Sequence, residues 1–126
     1  MKSLLLSISI MIVLLITWTT VYSFICERVE KLCSLVDDME SKIHIEKWTS
    51  TLSLFNNINK EWKDSRGVLL LILQHEEIER INVALERTRS YISIKNKPLT
   101  LGEAATLKFL FRHIQEKESL SLKNIF

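Results

Sequence analysis

Three groups of residues in this sequence are of types that could do chemistry. In the first group, His75, Glu76 and Glu79 lie within about one turn of a predicted helix. A histidine beside a carboxylate can shuttle a proton or bind a metal ion. The zinc-protease pattern H-E-x-x-H is incomplete, because Glu79 stands where the second histidine would be. Since His75 shares a predicted helical face with Leu71 and Ile78, we favour a partly buried, hydrogen-bonded histidine over a catalytic one.

The second group centres on His113, which follows Arg112 and precedes Glu116. We predict that His113 lies near the C-terminal end of the last helix, where a cation is favoured. With His75, Glu76 and Glu79 it forms a candidate region for a ligand or for an interaction. The sequence holds no Gly-rich phosphate loop, no G-x-S-x-G turn and no C-x-x-C pair. We therefore expect no enzyme, no cofactor and no metal ion.

The two cysteines, Cys26 and Cys33, are the third group. On a continuous helix they are about 10 Å apart along the axis, at ~1.5 Å per residue. A disulfide needs Cα atoms within ~7 Å, and a shared zinc ion needs both sulfurs at ~2.3 Å, so neither fits. We interpret both as small hydrophobic side chains beside a helical stripe. The alternative is that each meets its counterpart in a second copy, covalently if the surroundings are oxidising.

Composition indicates which elements position these residues. The chain has 126 residues, of which 47% are hydrophobic, and 17 Lys+Arg against 15 Asp+Glu give a net charge of +2. Only 2 Gly and 1 Pro are present, which excludes collagen-like and Pro-rich chains and a turn-dense β-sandwich. The basic residues are scattered among glutamates, typical of a solvated face, so we expect no nucleic-acid partner. An all-α protein remains.

Residues 3–25 carry no charged side chain. Such a run is long enough to span a bilayer, which needs ~20 apolar helical residues. Trp18 and Tyr22 lie near its end, where amphipathic rings prefer the headgroup region. We predict a membrane anchor over residues 1–25. A cleaved signal peptide is the alternative, because a basic start and an apolar run are common to both.

Signals for the orientation of this span conflict. Lys2 and the terminal amine precede the run, whereas Arg28, Lys31 and Lys42 follow it, which does not favour export of the C-terminal part. However, a span that begins so near the N-terminus resembles an export signal, and long domains are translocated largely regardless of charge. We predict a single-pass protein of the cell membrane with its N-terminus inside and residues 26–126 outside.

Residues 26–126 are predicted to form a small antiparallel bundle of three to four helices. The first helix runs on from the anchor, because apolar residues recur at heptad spacing. This heptad stripe comprises Ile25, Val29, Leu32, Val36, Met39 and Ile43. It is either buried in the bundle or free to pair with a second copy as a short parallel coiled coil.

The other helix boundaries are predicted from breaks in periodicity. The second helix ends near Asp64, with Ser65 to Gly67 as a turn, and the third opens with the apolar run of residues 68–73. Pro98 ends the third helix. We expect the core to depend on Trp48, Trp62, Leu85 and Leu110.

The fourth helix is predicted to begin at the S/T-x-x-E pattern of Thr100 and Glu103, in which each side chain satisfies a free backbone N–H of the other. Residues 116–126 are mostly polar. Four apolar side chains are spaced among them and predict a tail that lies back on the bundle: Leu120, Leu122, Ile125 and Phe126.

Two strings, HEEIERINVALERTRSYI at residues 75–92 and LKFLFRHIQEKESLSLKNIF at residues 107–126, accompany the N-terminal anchor and the Trp-containing second helix. This combination resembles an uncharacterised family of short bacterial proteins, domain of unknown function 4363. The resemblance implies a small helical protein held at the membrane, with no assigned activity and with a neighbouring membrane protein as partner.

Two classes of function agree with these observations. The one that we favour is a non-enzymatic, membrane-anchored interaction or scaffold module outside the cell. Its partners would be the lipid bilayer, a neighbouring membrane protein or a second copy in a homodimer. The alternative is an extracytoplasmic sensor or ligand-binding module that uses the region of His75 and His113.

Overall fold

The structure, a computed structural model, describes the backbone of residues 1–125 and the side chains of residues 1–117. The described residues form four α-helices. They are α1 (Lys2–His44), α2 (Trp48–Leu69), α3 (His75–Ser93) and α4 (Lys97–Ile125). Each helix packs against the next, and α4 packs back against α1. With short connecting loops this is an antiparallel four-helix bundle, and the described residues contain no strand. The predicted all-α class is confirmed.

The first helix joins the uncharged run to the bundle without a break. It has 43 residues, about 65 Å at ~1.5 Å per residue. Side chains are exposed through Thr20, and from Val21 onward α1 packs into the bundle. The heptad stripe is buried along its whole length, each member 1% exposed or less. Because α2 and α4 both pack against α1, two copies could pair through this stripe only if the bundle opened.

The core is centred on the aromatic residues Trp62, Phe55 and Phe111. The indole Nε1 of Trp62 donates to Oδ1 of Asn82 on α3 at 2.8 Å, so its polar atom is satisfied inside the protein. The ring of Trp62 also meets Phe111 of α4, with centroids 5.9 Å apart. One α2 side chain therefore contacts both helices of the C-terminal half.

The second helix ends later than its sequence suggests. It continues through Ser65, Arg66 and Gly67 to Leu69, so the predicted turn is wrong, and residues 70–74 form the loop. Ser65 is buried, and its hydroxyl donates to the Glu61 carbonyl at 2.8 Å. A serine satisfied within the helix does not compete for a turn. No glycine of the described residues has a positive φ, so Gly67 does not end the helix either.

The fourth helix begins at Lys97, before the predicted start. Oδ1 of Asn96 accepts a hydrogen bond from the backbone N–H of Leu99 at 3.1 Å and thereby caps the first turn. Pro98 lies inside that turn, where a missing N–H costs nothing.

The predicted capping box of Thr100 and Glu103 is wrong for the same reason. Thr100 already lies inside α4, and its hydroxyl donates to the Asn96 carbonyl. A pair of this kind forms at the start of α3 instead, where the Glu77 carboxylate accepts from the backbone N–H of Gln74 at 3.2 Å.

The two turns at the end of the bundle remote from the uncharged run share one geometry. Glu46 follows α1 with φ 56°, and Lys95 follows α3 with φ 54°. In each turn the next backbone N–H donates to the carbonyl five residues earlier, at 3.0 Å in both. This is the left-handed helix ending that usually contains glycine.

The backbone of the predicted tail continues α4 as helix to Ile125. The side chains expected to lie back on the bundle, Leu120, Leu122, Ile125 and Phe126, lie outside the described residues.

Candidate functional site

A groove of about 490 Å³ between α3 and α4 brings together three of the predicted site residues. Its walls are formed by His75, Glu76, Glu79, Arg80, Val83, Ala84, Arg87, Thr106 and Leu110. His113 lines a separate small cavity next to it, together with Glu77. Arg80 lines both the groove and the small cavity, so His113 lies next to the groove that His75, Glu76 and Glu79 line.

His75 is exposed, so the prediction of a partly buried histidine is wrong. It is the first residue of α3, its side chain is 82% exposed, and Nε2 lies 3.9 Å from a Glu79 carboxylate oxygen. The prediction extended the helix back to Leu71, but Leu71 belongs to the loop and is 84% exposed. Because α3 begins at His75, no preceding helical turn places an apolar side chain beside it.

His113 lies in the interior of α4, because the helix continues to Ile125. The prediction that it lies near the helix end is therefore wrong. It is exposed, and its ring stacks on Phe109 with centroids 6.2 Å apart. Phe109 itself is 69% exposed, so the pair forms an aromatic patch on the surface.

Glu77 is one of the glutamates that the sequence places on a solvated face, but in the structure its side chain is held by two hydrogen bonds. Its carboxylate is 19% exposed and accepts from Nζ of Lys117 at 2.7 Å and from the Gln74 backbone N–H at 3.2 Å. Burial works to raise the pKa of Glu77. The hydrogen bonds from Lys117 and Gln74, with the charges of Lys117 and His113, outweigh burial, and the pKa is lower than usual. The sequence signal was the position of Glu77 three residues after Gln74.

The groove has a charged rim and an apolar floor. Val83, Ala84 and Leu110 supply the floor, and Val83 is 45% exposed. On the rim, Nη1 of Arg87 lies 3.5 Å from Oε1 of Glu103 on α4. Within the described part of the chain, no group of three or more His, Cys, Asp or Glu side chains is placed to hold a metal ion. The groove is therefore suited to an apolar side chain flanked by charges.

The cysteines lie away from this groove, on the side of α1 that faces α4. Cys33 is 6% exposed, and burial raises the pKa of its thiol above the ordinary value, which disfavours the reactive thiolate. Cys26 is half-buried, and its sulfur accepts a hydrogen bond from Nε2 of Gln115 at 3.7 Å. Both are free thiols. Contact between copies through Cys26 and Cys33 stays a prediction.

Glu61 of α2 forms an ion-pair cluster that sequence reasoning missed. Its carboxylate accepts from Nζ of Lys31 at 2.7 Å and from Nη1 of Arg28 at 2.8 Å. The hydrogen bond from Lys31, with that from Arg28 and both charges, outweighs burial and lowers the pKa of Glu61. Both basic residues closely follow the uncharged run, so the cluster fixes α2 against α1 where α1 enters the bundle.

The N-terminal part of α1 is long and apolar enough to cross a membrane. Its most apolar window has a mean hydropathy of 2.4 and is not buried within the protein. Length and composition of this kind are compatible with a single-pass anchor and with a signal sequence. Four hydroxyls in the run donate to the carbonyl four residues earlier, those of Ser7, Thr17, Thr19 and Thr20. Their polar hydrogens are thus satisfied without water.

Comparison with protein-family models matches most of the chain. The model of the family described as domain of unknown function (DUF4363) matches residues 19–125. This range contains the whole bundle and the end of the uncharged run. No curated protein and no solved structure matches the chain.

Proposed function

Because the chain belongs to the DUF4363 family, whose description assigns no function, we propose a function from its own structure. We infer that it is a non-enzymatic, membrane-anchored interaction module, whose bundle lies at the outer surface of the cell membrane. One observation carries this proposal: α1 is a single helix whose first part is apolar and unburied and whose second part contributes a buried stripe to the core of the bundle.

Two physical arguments support the anchor. First, a helix that exposes about twenty consecutive, mostly apolar residues is long enough to span a bilayer, and an exposed apolar surface of that size marks contact with a membrane or a protein. Second, four hydroxyls within the run, those of Ser7, Thr17, Thr19 and Thr20, donate back to helix carbonyls, as the bilayer interior favours. The Glu61 cluster then joins α2 to α1 just after the run.

The groove between α3 and α4 supports the interaction role. It combines an apolar floor with a rim of both charges, and the Phe109 and His113 patch adds exposed aromatic area on α4. An apolar core inside a polar rim is the usual anatomy of a protein interface. The partner that we propose is a neighbouring membrane protein, since anchoring restricts the module to partners at the membrane surface.

Photocrosslinking in intact membranes tests the interaction. A photoreactive amino acid replaces Val83 in the groove, Phe109 on the patch or, as a control, Asn57 on the exposed side of α2. The proposal predicts a discrete protein adduct from Val83 and Phe109 that Asn57 does not give. Equal adducts from all three positions, or none from the first two, would contradict it.

Protease digestion of cells stripped of any wall tests the orientation. With the N-terminus inside, the protease should remove the bundle while the apolar run stays in the membrane fraction. A bundle that resists protease until the membrane is permeabilised would reverse the orientation. A soluble chain that begins near Phe24 would instead establish a cleaved signal peptide.

A second candidate function is a sensor of protons or of a small ligand. The observation that favours it is the placement of His75, Glu76 and Glu79 on one wall of the groove. A ligand that binds the folded state raises its melting temperature. Sensing therefore predicts a higher melting temperature with Zn²⁺, or on lowering the pH through the histidine range, that His75→Ala and His113→Ala abolish. Unchanged melting in all three proteins would exclude this candidate.

A further inference from the structure

The loop between α2 and α3 exposes leucine side chains to an unusual extent. Residues 68–73 form an uncharged apolar run in the sequence. Leu73 and Leu69 point into the core, but Leu70 is 50% exposed and Leu71 is 84% exposed. A loop in water normally presents polar residues, whereas Leu70 and Leu71 form an adjacent pair of exposed apolar side chains at this turn.

The backbone N–H groups of this loop donate hydrogen bonds within the chain. The N–H groups of residues 70–73 donate at 2.8 to 3.1 Å to the carbonyls of Arg66, Val68 and Leu69. The next N–H, of Gln74, donates to the Glu77 carboxylate at 3.2 Å. None of these five donors needs water, so the N–H groups of the loop do not oppose its entry into the less polar interfacial region of a membrane.

The contacts of α2 with α1 show where the loop lies along the axis of α1, namely beside the end of the uncharged run. Glu61 lies beside Arg28 and Lys31 of the antiparallel α1. From Glu61, nine residues of α2 lead to Leu70, about 13 Å along the axis at ~1.5 Å per residue. The same distance from Arg28 along α1 leads to Thr19. Val21 packs against the core, which agrees with a bundle that ends near this position of α1. The exposed leucines therefore lie beside the last turns of the run that we place in the bilayer.

We propose that the α2–α3 loop is a second membrane contact, in which Leu70 and Leu71 enter the interfacial region of the same bilayer that α1 crosses. This inference rests on the proposed anchoring of α1. The occupant is lipid because the leucines lie beside the end of the span, where the headgroup region begins. Apolar side chains of interfacial segments are buried there to a depth of ~5 to 10 Å. Exposed Arg66, in the last turn of α2, would meet the lipid phosphates.

A second membrane contact at the α2–α3 loop would limit how the whole bundle moves. A single span leaves the bundle free to rotate and tilt about α1. A second contact on the adjoining α2–α3 loop fixes both movements and sets the direction in which the groove between α3 and α4 opens.

Fluorescence quenching in vesicles of phosphatidylcholine and phosphatidylglycerol tests this contact. The full chain, with Cys26 and Cys33 replaced by alanine, receives one new cysteine carrying an environment-sensitive dye. Leu71→Cys reports the loop. Ile94→Cys is the matched control, because Ile94 is also an exposed apolar residue in a turn, 66% exposed, but at the opposite end of the bundle. Leu14→Cys reports the span. Circular dichroism verifies that each labelled chain is helical.

We expect the dye at Leu71 to be blue-shifted, strongly quenched by lipids with a spin label near the headgroup, and several-fold less quenched by aqueous iodide than the dye at Ile94. Equal iodide quenching at Leu71 and Ile94 would overturn the loop contact. If Leu14 is lipid-exposed in that experiment, the anchor still holds. Shielding of Leu71 from iodide without quenching by lipid would mean that a protein covers the loop, which also overturns the proposal. An aqueous Leu14 beside a lipid-exposed Leu71 would reject the anchor, and with it the proposal of a second contact with a bilayer that α1 crosses.

Discussion

At the scale of single residues, the two remote turns hold ordinary side chains in a backbone conformation that favours glycine. Glu46 and Lys95 have φ near 55° and are exposed. The left-handed conformation costs a non-glycine residue ~1 to 2 kcal/mol, whereas the extra freedom of glycine in the unfolded chain costs ~0.5 to 1 kcal/mol. The first cost is larger, so glycine should be the better residue at both positions.

We therefore predict that Glu46→Gly and Lys95→Gly each raise the free energy of unfolding by about 0.5 to 1 kcal/mol. Chemical denaturation of the full chain in detergent measures the change. Glu46→Ala and Lys95→Ala are the controls, because they remove the side chain beyond Cβ but keep the Cβ atom that disfavours the left-handed conformation. Equal stability of the glycine and alanine variants would show that these turns are not strained.

Core residues give the second prediction. Trp62 and Leu85 are 1% and 3% exposed, so truncation to alanine should cost about 2 to 5 kcal/mol of stability. Val83→Ala, on the same helix as Leu85 but 45% exposed, should change stability by less than about 0.5 kcal/mol. Trp48 and Leu110 are only half-buried and should give smaller losses than Trp62 and Leu85. Equal melting of Leu85→Ala and Val83→Ala would contradict the packing of α3.

Individual site residues were only partly predictable. The sequence places His75 and Glu76 beside Glu79, since residues three and four apart are neighbours on a helix. The exposure of His75 depends on where α3 begins, and the position of His113 depends on where α4 ends. Both predictions failed because periodicity determines a helical face more reliably than a helix end.

At the scale of elements, carboxylates with lowered pKa values join the helices in pairs. Glu61 joins α2 to α1, and Glu77 joins α3 to α4 through Lys117. Each carboxyl has a lower pKa in the folded than in the unfolded chain. The stability that it contributes is therefore complete above the unfolded pKa of ~4.3 and is lost as the pH falls through the folded value.

The third prediction is a loss of stability in acid that depends on these pairs. The free energy of unfolding should decrease as the pH falls below about 5. Glu61→Gln should be less stable than the parent at pH 7 and should lose less in acid, so that the two curves converge. The variant with Arg28→Gln and Lys31→Gln should flatten the curve in the same way, since Glu61 is then unpaired. Parallel curves for parent and Glu61→Gln would refute the role of the cluster.

The helical faces could be predicted because they depend on local spacing alone. The heptad stripe of α1 and the apolar positions of α3 are buried almost as their spacing of three and four residues requires. The end of α2 could not be predicted in this way. Ser65, Arg66 and Gly67 are typical of turns, but burial of Ser65 and of Leu69 draws them into the helix. Tertiary packing overrides a local turn preference here.

At the scale of the whole molecule, the bundle and its apolar extension were predictable, but the groove was not. An uncharged run followed by amphipathic stripes indicates a span and a bundle without reference to any distant contact. The groove exists because α3 packs beside α4, and no single helix shows this. For the same reason the pairing of Glu61 with Arg28 and Lys31, some thirty residues apart, is not visible in the sequence.

Retention of the full chain in membranes washed with alkaline carbonate is a direct test of the membrane anchor. The parent chain should remain in the pellet. Ile12→Arg with Ile16→Arg places two charges in the middle of the span, at a cost of about 5 to 7 kcal/mol from ~2.5 to 3.5 each, and should release the chain. Ser53→Arg with Asn57→Arg, the same change at the same spacing on the exposed side of α2, should leave it in the pellet. A parent chain that carbonate releases, or a double-arginine span that stays in the pellet, would contradict the membrane anchor.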